Sequence, residues 1–395
     1  MAQYFAKAAL GAVLALGLPT GSTAQILTLE QALDAAVQYH PATRTAALQV
    51  QQQRQLLPGV VALTNPIATV ESPSGNFYTI GVTQSFEMPG AYRRREDLQK
   101  SQIDRAESGI AATQQNIRYA TALTYNDLQY RIALVERLHQ QDSSLQIITA
   151  AAARQFEQGQ IDAVARQFAA LQAATLRAQL RRAEQDILIA ESQLQTLTGL
   201  TGRIVPESWA KPVVLPAADT SLWQNNPALQ ILRQETLVAG QQVAVEKTGN
   251  WPQITLGYLN QGERNSPIVN RFSAGVSVPL WRKQYNAQVT AAQTGVEIAR
   301  QNLAAQSLQI RAAWRQALGE AEKARLALED YEQTVLPSAC SLTDASRRMY
   351  EGGLTDLPAY LRNRKDALDA ELAYLDVLLA YQEALLNVRF IAGNL

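Results

Sequence analysis

The sequence predicts a mainly α-helical chain with a small β part, built as two copies of one module. Three observations predict it: self-similarity at a fixed offset, helical runs far longer than a domain is wide, and short alternating segments that interrupt those runs at matching places. Gly81-Val82-Thr83 corresponds to Gly275-Val276-Ser277, Gly159 to Gly353, and Leu197-Thr198-Gly199 to Ile391-Ala392-Gly393, each 194 positions on. Upstream, His40-Pro41-Ala42 and Asn226-Pro227-Ala228 lie 186 apart, as do Asn65-Pro66 and Trp251-Pro252. The change from 186 to 194 places eight extra residues between Trp251 and Phe272.

The elements follow in order. Residues 1–24 read as a secretory signal peptide: Lys7, the apolar run Ala8 to Pro19, then Ser22-Thr23-Ala24 as a small-x-small cleavage signal. That run is too short to span a bilayer as a helix. The first repeat, 25–205, opens a helix after His40-Pro41, forms a β-hairpin at about 65–87 and continues into a long helical hairpin with its tip near Gly159. The second, 206–395, repeats this with a helix after Asn226-Pro227, a hairpin at about 251–280 and a tip near Gly353. No proline occurs between Gly90 and Val205, and the 65 residues from Tyr92 to Phe156 would make a helix of about 100 Å. In the returning helices Ala183, Ile187, Ala190, Leu194 and Leu197, and again Val377, Tyr381, Ala384, Val388 and Ile391, step by four and three. That is a coiled-coil seam with small residues where helices approach closely.

The alternating segments separate Tyr78, Ile80 and Val82 from Thr79, Gly81 and Thr83, and Phe272, Ala274, Val276 and Val278 from Ser273, Gly275 and Ser277. Ile254, Leu256 and Tyr258 likewise oppose Thr255 and Gly257. Strands of eight to ten residues suit a tilted transmembrane β-strand. Four strands cannot close a barrel, and an open sheet edge in lipid leaves backbone groups unsatisfied. Membrane-spanning strands would therefore require oligomerisation, and three copies supply twelve. The other reading of these strands is a pair of soluble hairpins capping a helical bundle.

Composition narrows the function. Lys+Arg and Asp+Glu both number 35, so there is no basic footprint for nucleic acid. One cysteine, Cys340, excludes an intramolecular disulfide, and the two histidines, His40 and His139, supply almost nothing for a zinc or haem site. After processing only Met88 and Met349 remain as thioethers, so no soft-metal ladder exists. No phosphate loop, activated nucleophile or carboxylate pair stands at a catalytic spacing. An enzyme is not expected, nor a cofactor or bound metal.

The order helix, hairpin, long helical hairpin, written twice, resembles the TolC family of trimeric outer-membrane efflux proteins, most closely its CzcC-like heavy-metal branch. The stretches that carry this are Leu27-Thr28-Leu29-Glu30-Gln31-Ala32-Leu33 with His40-Pro41, then Gln84 to Gly90 leading into Tyr92-Arg93-Arg94-Arg95. Val278-Pro279-Leu280-Trp281 before Gln284-Tyr285-Asn286-Ala287, and Tyr350-Glu351-Gly352-Gly353 followed by Leu372-Ala373-Tyr374, complete them. The resemblance implies a homotrimer with a 12-stranded barrel in the outer membrane of a Gram-negative cell, continued by a long α-helical coiled-coil barrel in the periplasm. It implies a passive conduit fed by an inner-membrane RND-type transporter through a periplasmic adaptor, with heavy-metal cations as the branch's cargo. Drug efflux or type I secretion through the same architecture is the alternative, and a periplasmic coiled-coil adaptor a more distant one.

Carried over position by position, the resemblance makes Gly159, Gln160, Ile161 and Asp162, with Gly353, Leu354, Thr355 and Asp356, the periplasmic tips that meet the adaptor. Independently of the family, glycine permits a left-handed turn and each aspartate can cap the next helix. Where many relatives place acidic residues in a pore constriction, this chain has Ala359 and Arg362, matched in the first repeat by Ala165 and Phe168. Three Arg362 side chains near an axis would make a ring that repels cations; the other reading turns Arg362 outward or pairs it with an acid. Pro337 should interrupt the second long helix. Arg93-Arg94-Arg95 is either an anion-attracting collar at the membrane boundary or a solvated helix start, and His139 a surface or interface residue.

Overall fold

A computed structural model describes residues 25–71, 79–208, 222–260 and 271–395. The expected signal peptide, residues 1–24, and the bends of both hairpins lie outside the described residues, as does Tyr78. Eight α-helices and six strands occur among the described residues. The first repeat holds β1 (Gln25–Leu27), α1 (Leu29–Tyr39), α2 (Pro41–Val60), β2 (Ile67–Glu71), β3 (Thr79–Glu87), α3 (Pro89–Glu157) and α4 (Ala163–Thr198). The second holds β4 (Ile204–Pro206), α5 (Pro227–Thr248), β5 (Gln253–Leu259), β6 (Phe272–Ser277), α6 (Arg282–Asp330), α7 (Leu336–Glu351) and α8 (Leu357–Ala392).

The duplication extends to the atoms that start the helices. The Nδ1 atom of His40 accepts from the Ala42 N–H at 3.2 Å, and the Asn226 side chain accepts from the Ala228 N–H at 2.9 Å, each ahead of a proline in the first turn. The first repeat has an additional helix, α1, closed by a capping box between Thr28 and Gln31. The unbroken α3 runs for 69 residues. Its counterpart is divided by a π-turn, Tyr331–Val335, between α6 and α7, with Pro337 in the first turn of α7. Proline has no N–H to donate and its ring crowds the preceding turn, so the wider turn accommodates it.

The two hairpins are one sheet. β2, β3, β5 and β6 form an antiparallel sheet in that order, with Val82 opposite Tyr258 and Thr83 opposite Gly257 at the central pairing. The described strands run from five residues in β2 to nine in β3, so only β3 reaches the expected eight to ten. β6 stops at Ser277, short of Val278, because Pro279 cannot continue a ladder. The register puts Ala68, Val70, Ile80, Val82, Phe86, Ile254, Leu256, Tyr258, Phe272, Ala274 and Val276 on one face, with Gln84 the polar exception. Val70, Ile80, Val82, Ile254, Leu256, Phe272 and Val276 on this apolar face are exposed, whereas Thr79, Gly81 and Gly257 on the small and polar face are buried. A soluble sheet is patterned the opposite way round.

The helices pack in the order of the strands they continue, α2 on α3, α3 on α5 and α5 on α6. Beyond them α4 packs on α3, and α8 on α3, α6 and α7. The core is a chain of small clusters rather than one centre. Leu229, Trp314, Tyr381 and Leu385 hold α5, α6 and α8, while Leu138, Leu176, Leu180 and Leu368 hold α3, α4 and α8. Both predicted seams lie on buried or half-buried faces. A two-stranded parallel clip, β1 on β4, was not visible in the sequence. The buried Tyr125 hydroxyl secures it, donating to the Leu27 carbonyl at 2.7 Å and accepting from the Glu207 N–H at 3.0 Å.

Candidate functional site

The two helix-to-helix turns are built alike. Two residues past the end of α3 stands Gly159, φ +71°, and two past the end of α7 stands Gly353, φ +69°. A side chain at either would be strained in this left-handed region, and the turn it permits sends the next N–H back along the helix. Gln160 thus donates to the Gln155 carbonyl and Leu354 to the Met349 carbonyl, both at 2.8 Å. Asp162 and Asp356 then start α4 and α8, each accepting from the N–H three residues on, Ala165 and Ala359, at 2.7 Å. The aspartates are helix caps first, which is the physical role the sequence suggested for them.

The structure brings both turns to one end of the bundle. Ala152, Ala169, Leu357, Tyr360 and Leu361 form a cluster against which Ile161, Phe168 and Tyr350 pack. Tyr350 and Tyr360 stack with ring centroids 4.8 Å apart, and the Tyr350 hydroxyl donates to Gln155 across to α3 at 3.2 Å. Of the expected tip residues, Gly159, Gln160, Asp162, Gly353, Leu354 and Asp356 are exposed, Thr355 is half-buried, and Ile161 is turned into the cluster. Leu354 is 77% exposed, and Val164 beside the other turn 73%. Nothing in the periodicity singled out Val164, or the Arg166 guanidinium that lies 4.2 Å from the centre of the Phe156 ring.

Arg362 and Phe168, named from separate repeats, are neighbours. The guanidinium of the exposed Arg362 sits 6.0 Å from the Phe168 ring centre, and its Nε donates to the Pro358 carbonyl at 3.3 Å. Arg362 makes no ion pair among the described residues, and Ala359 leaves it sterically open on its own helix. The next arginine, Arg364, is held back by Gln141 and Ser144, both at 2.9 Å. Arg362 is therefore the free cation on this turn of α8.

The other singled-out residues divide into paired and exposed ones. His139 Nε2 lies 3.2 Å from Glu184, linking α3 to α4. Cys340 is exposed on α7. Arg95 pairs with Glu87, whereas Arg93 and Arg94 are exposed. Among the described residues no group of His, Cys, Asp and Glu is arranged to hold a metal ion, and no helix is long and apolar enough to cross a membrane.

Comparison with known proteins places this geometry. A search of curated proteins found no match. Among solved structures, CusC aligns over 96% of this chain and 95% of its own at 16% identity, with a TM-score of 0.78. The Campylobacter jejuni CmeC outer-membrane channel covers 100% of this chain and 94% of its own at 16% identity, TM-score 0.76. The Vibrio cholerae outer-membrane protein VceC covers 92% and 96% at 17% identity, TM-score 0.74. Residues 220–394 match the model of the family described as outer membrane efflux protein, so the second repeat carries that family's sequence pattern and the whole chain its channel fold.

Proposed function

We propose that three copies of this chain form an outer-membrane efflux conduit, a member of the TolC family. The observation that carries this reading is the four-stranded sheet with an exposed apolar face and two unpaired edges, continued by helices in the same lateral order. An apolar face of this kind is stable against lipid, and edges in lipid must be paired by another copy. Twelve strands would close the barrel and the helices would prolong it as a tube into the periplasm. The channel fold and the family match of the second repeat support the same reading. Transport through such a tube is passive, with an inner-membrane RND-type transporter and a periplasmic adaptor supplying substrate and energy. Heat-modifiable trimers in outer-membrane fractions are expected; a soluble monomer in periplasmic extract would overturn the assignment.

Within this conduit the exposed tip residues Gln160 and Leu354 and the half-buried Thr355, with the glycines and aspartates that shape the turns, are the adaptor contact. Arg362, backed by Phe168 and paired with no acid among the described residues, lines the periplasmic constriction. Arg362→Asp is expected to shift a reconstituted trimer from anion towards cation preference. Unchanged reversal potentials in a salt gradient would place Arg362 away from the pore. A CzcC-like assignment with heavy-metal cargo rests on the sequence resemblance alone, and a cationic constriction assigns cargo choice to the pump rather than to this tube.

A further inference from the structure

We propose that the junction between sheet and helices is a cationic collar that binds the headgroups of anionic phospholipids in the inner leaflet, an inference that rests on the sheet spanning the outer membrane. Three strands end on one row, Glu87 opposite Gln253 and Gln253 opposite Ser277. Within seven residues of that row stand Arg93 and Arg94 on α3, Lys247 on α5, and Arg282 and Lys283 on α6, all exposed. None of the five makes an ion pair among the described residues. Of the acids nearby, Glu87 is paired with Arg95 and Glu96 with Lys100, while Asp97 and the Glu246 that accepts from Gln242 keep their charge, so the five cations still outnumber the unpaired acids. The charge balance of the whole chain is zero, so this concentration of free cations is local.

Two further features match a lipid headgroup layer. Immediately below the apolar sheet face, Leu280 and Trp281 are 75% and 82% exposed, and tryptophan favours the depth where chain and headgroup meet. Trp251, on the neighbouring junction, closes over Gly90, so the aromatic level continues from α6 across to α3. The helix starts differ too. α1, α2, α4, α5 and α8 each have a side-chain cap, α7 continues straight from the π-turn without one, and α3 and α6, which start at the sheet, have none. The positive end of each helix dipole therefore faces the same layer as the five cations. Phosphatidylglycerol supplies the complementary charge at that depth, and a zwitterionic headgroup does not.

The test uses the full chain reconstituted in vesicles, with tryptophan quenching by brominated phosphatidylglycerol compared with brominated phosphatidylcholine. Relative binding of at least about fivefold in favour of phosphatidylglycerol is expected at low salt, collapsing towards one in 0.5 M NaCl. A variant carrying R93Q, R94Q, K247Q, R282Q and K283Q should lose the preference while keeping its trimer band and its quenching by brominated phosphatidylcholine. Equal quenching of the wild type by both lipids overturns the collar and leaves the barrel intact. No quenching by either lipid overturns the membrane reading itself. A preference that survives in the variant assigns it to other groups and rejects the collar.

Discussion

Asp162 and Asp356 carry a local duty that a test of any contact with a partner must separate from that contact. Each closes the first turn of its helix through a 2.7 Å hydrogen bond, so removing the carboxylate removes a cap worth about 1 kcal/mol before any partner is considered. Asp162→Asn with Asp356→Asn should preserve thermal stability while discarding the charge, and the alanine pair should lower it by about 2 kcal/mol. A fall in efflux common to both pairs would then report the adaptor contact, and a fall in the alanine pair alone the turn. These caps were legible because they depend on residues three apart. The Phe168 and Arg362 contact was not, since it joins two repeats whose helices are brought together by tertiary clusters such as that of Leu357, Tyr360 and Ala169.

Helices and strands were legible in proportion to their length. The 69-residue α3 shows its period many times over, and Pro337 marks the interruption of its counterpart. The three-residue strands β1 and β4 have no period to read, and the β3 to β5 pairing that merges two hairpins joins segments 170 positions apart, as between Ser85 and Thr255. Where helices meet, partial desolvation shifts a titration. Glu383 on α8 keeps access to solvent, yet its carboxyl is pushed above the usual range, first by partial desolvation and then by the Asp127 carboxylate on α3. The folded chain thus holds this proton to higher pH than the unfolded one, whose reference is 4.5. Ionised Glu383 costs stability at neutral pH, and the cost is relieved as pH falls through the raised folded value towards 4.5. Glu383→Gln should raise the melting temperature at pH 7 and flatten its dependence across that window; a parallel shift at every pH would refute the assignment.

At the scale of the molecule the sheet is patterned for an apolar exterior, and two adjacent residues provide the contrast. Val82 is on the apolar face and Thr83 on the small and polar one. Val82→Lys should abolish the heat-modifiable trimer, a lipid-facing lysine costing about 2–4 kcal/mol per chain at mid-membrane. Thr83→Lys should assemble and alter conductance instead. Equal effects of the two would mean that the faces are not lipid and lumen. The parallel clip of β1 on β4 has a consequence in time. Gln25 pairs with Ile204, so a chain emerging N-terminus first at about 5–20 residues per second leaves β1 without β4 for about 10 s or longer. During that interval the first repeat is unclosed, and its seam is available to any factor that escorts unfolded chains.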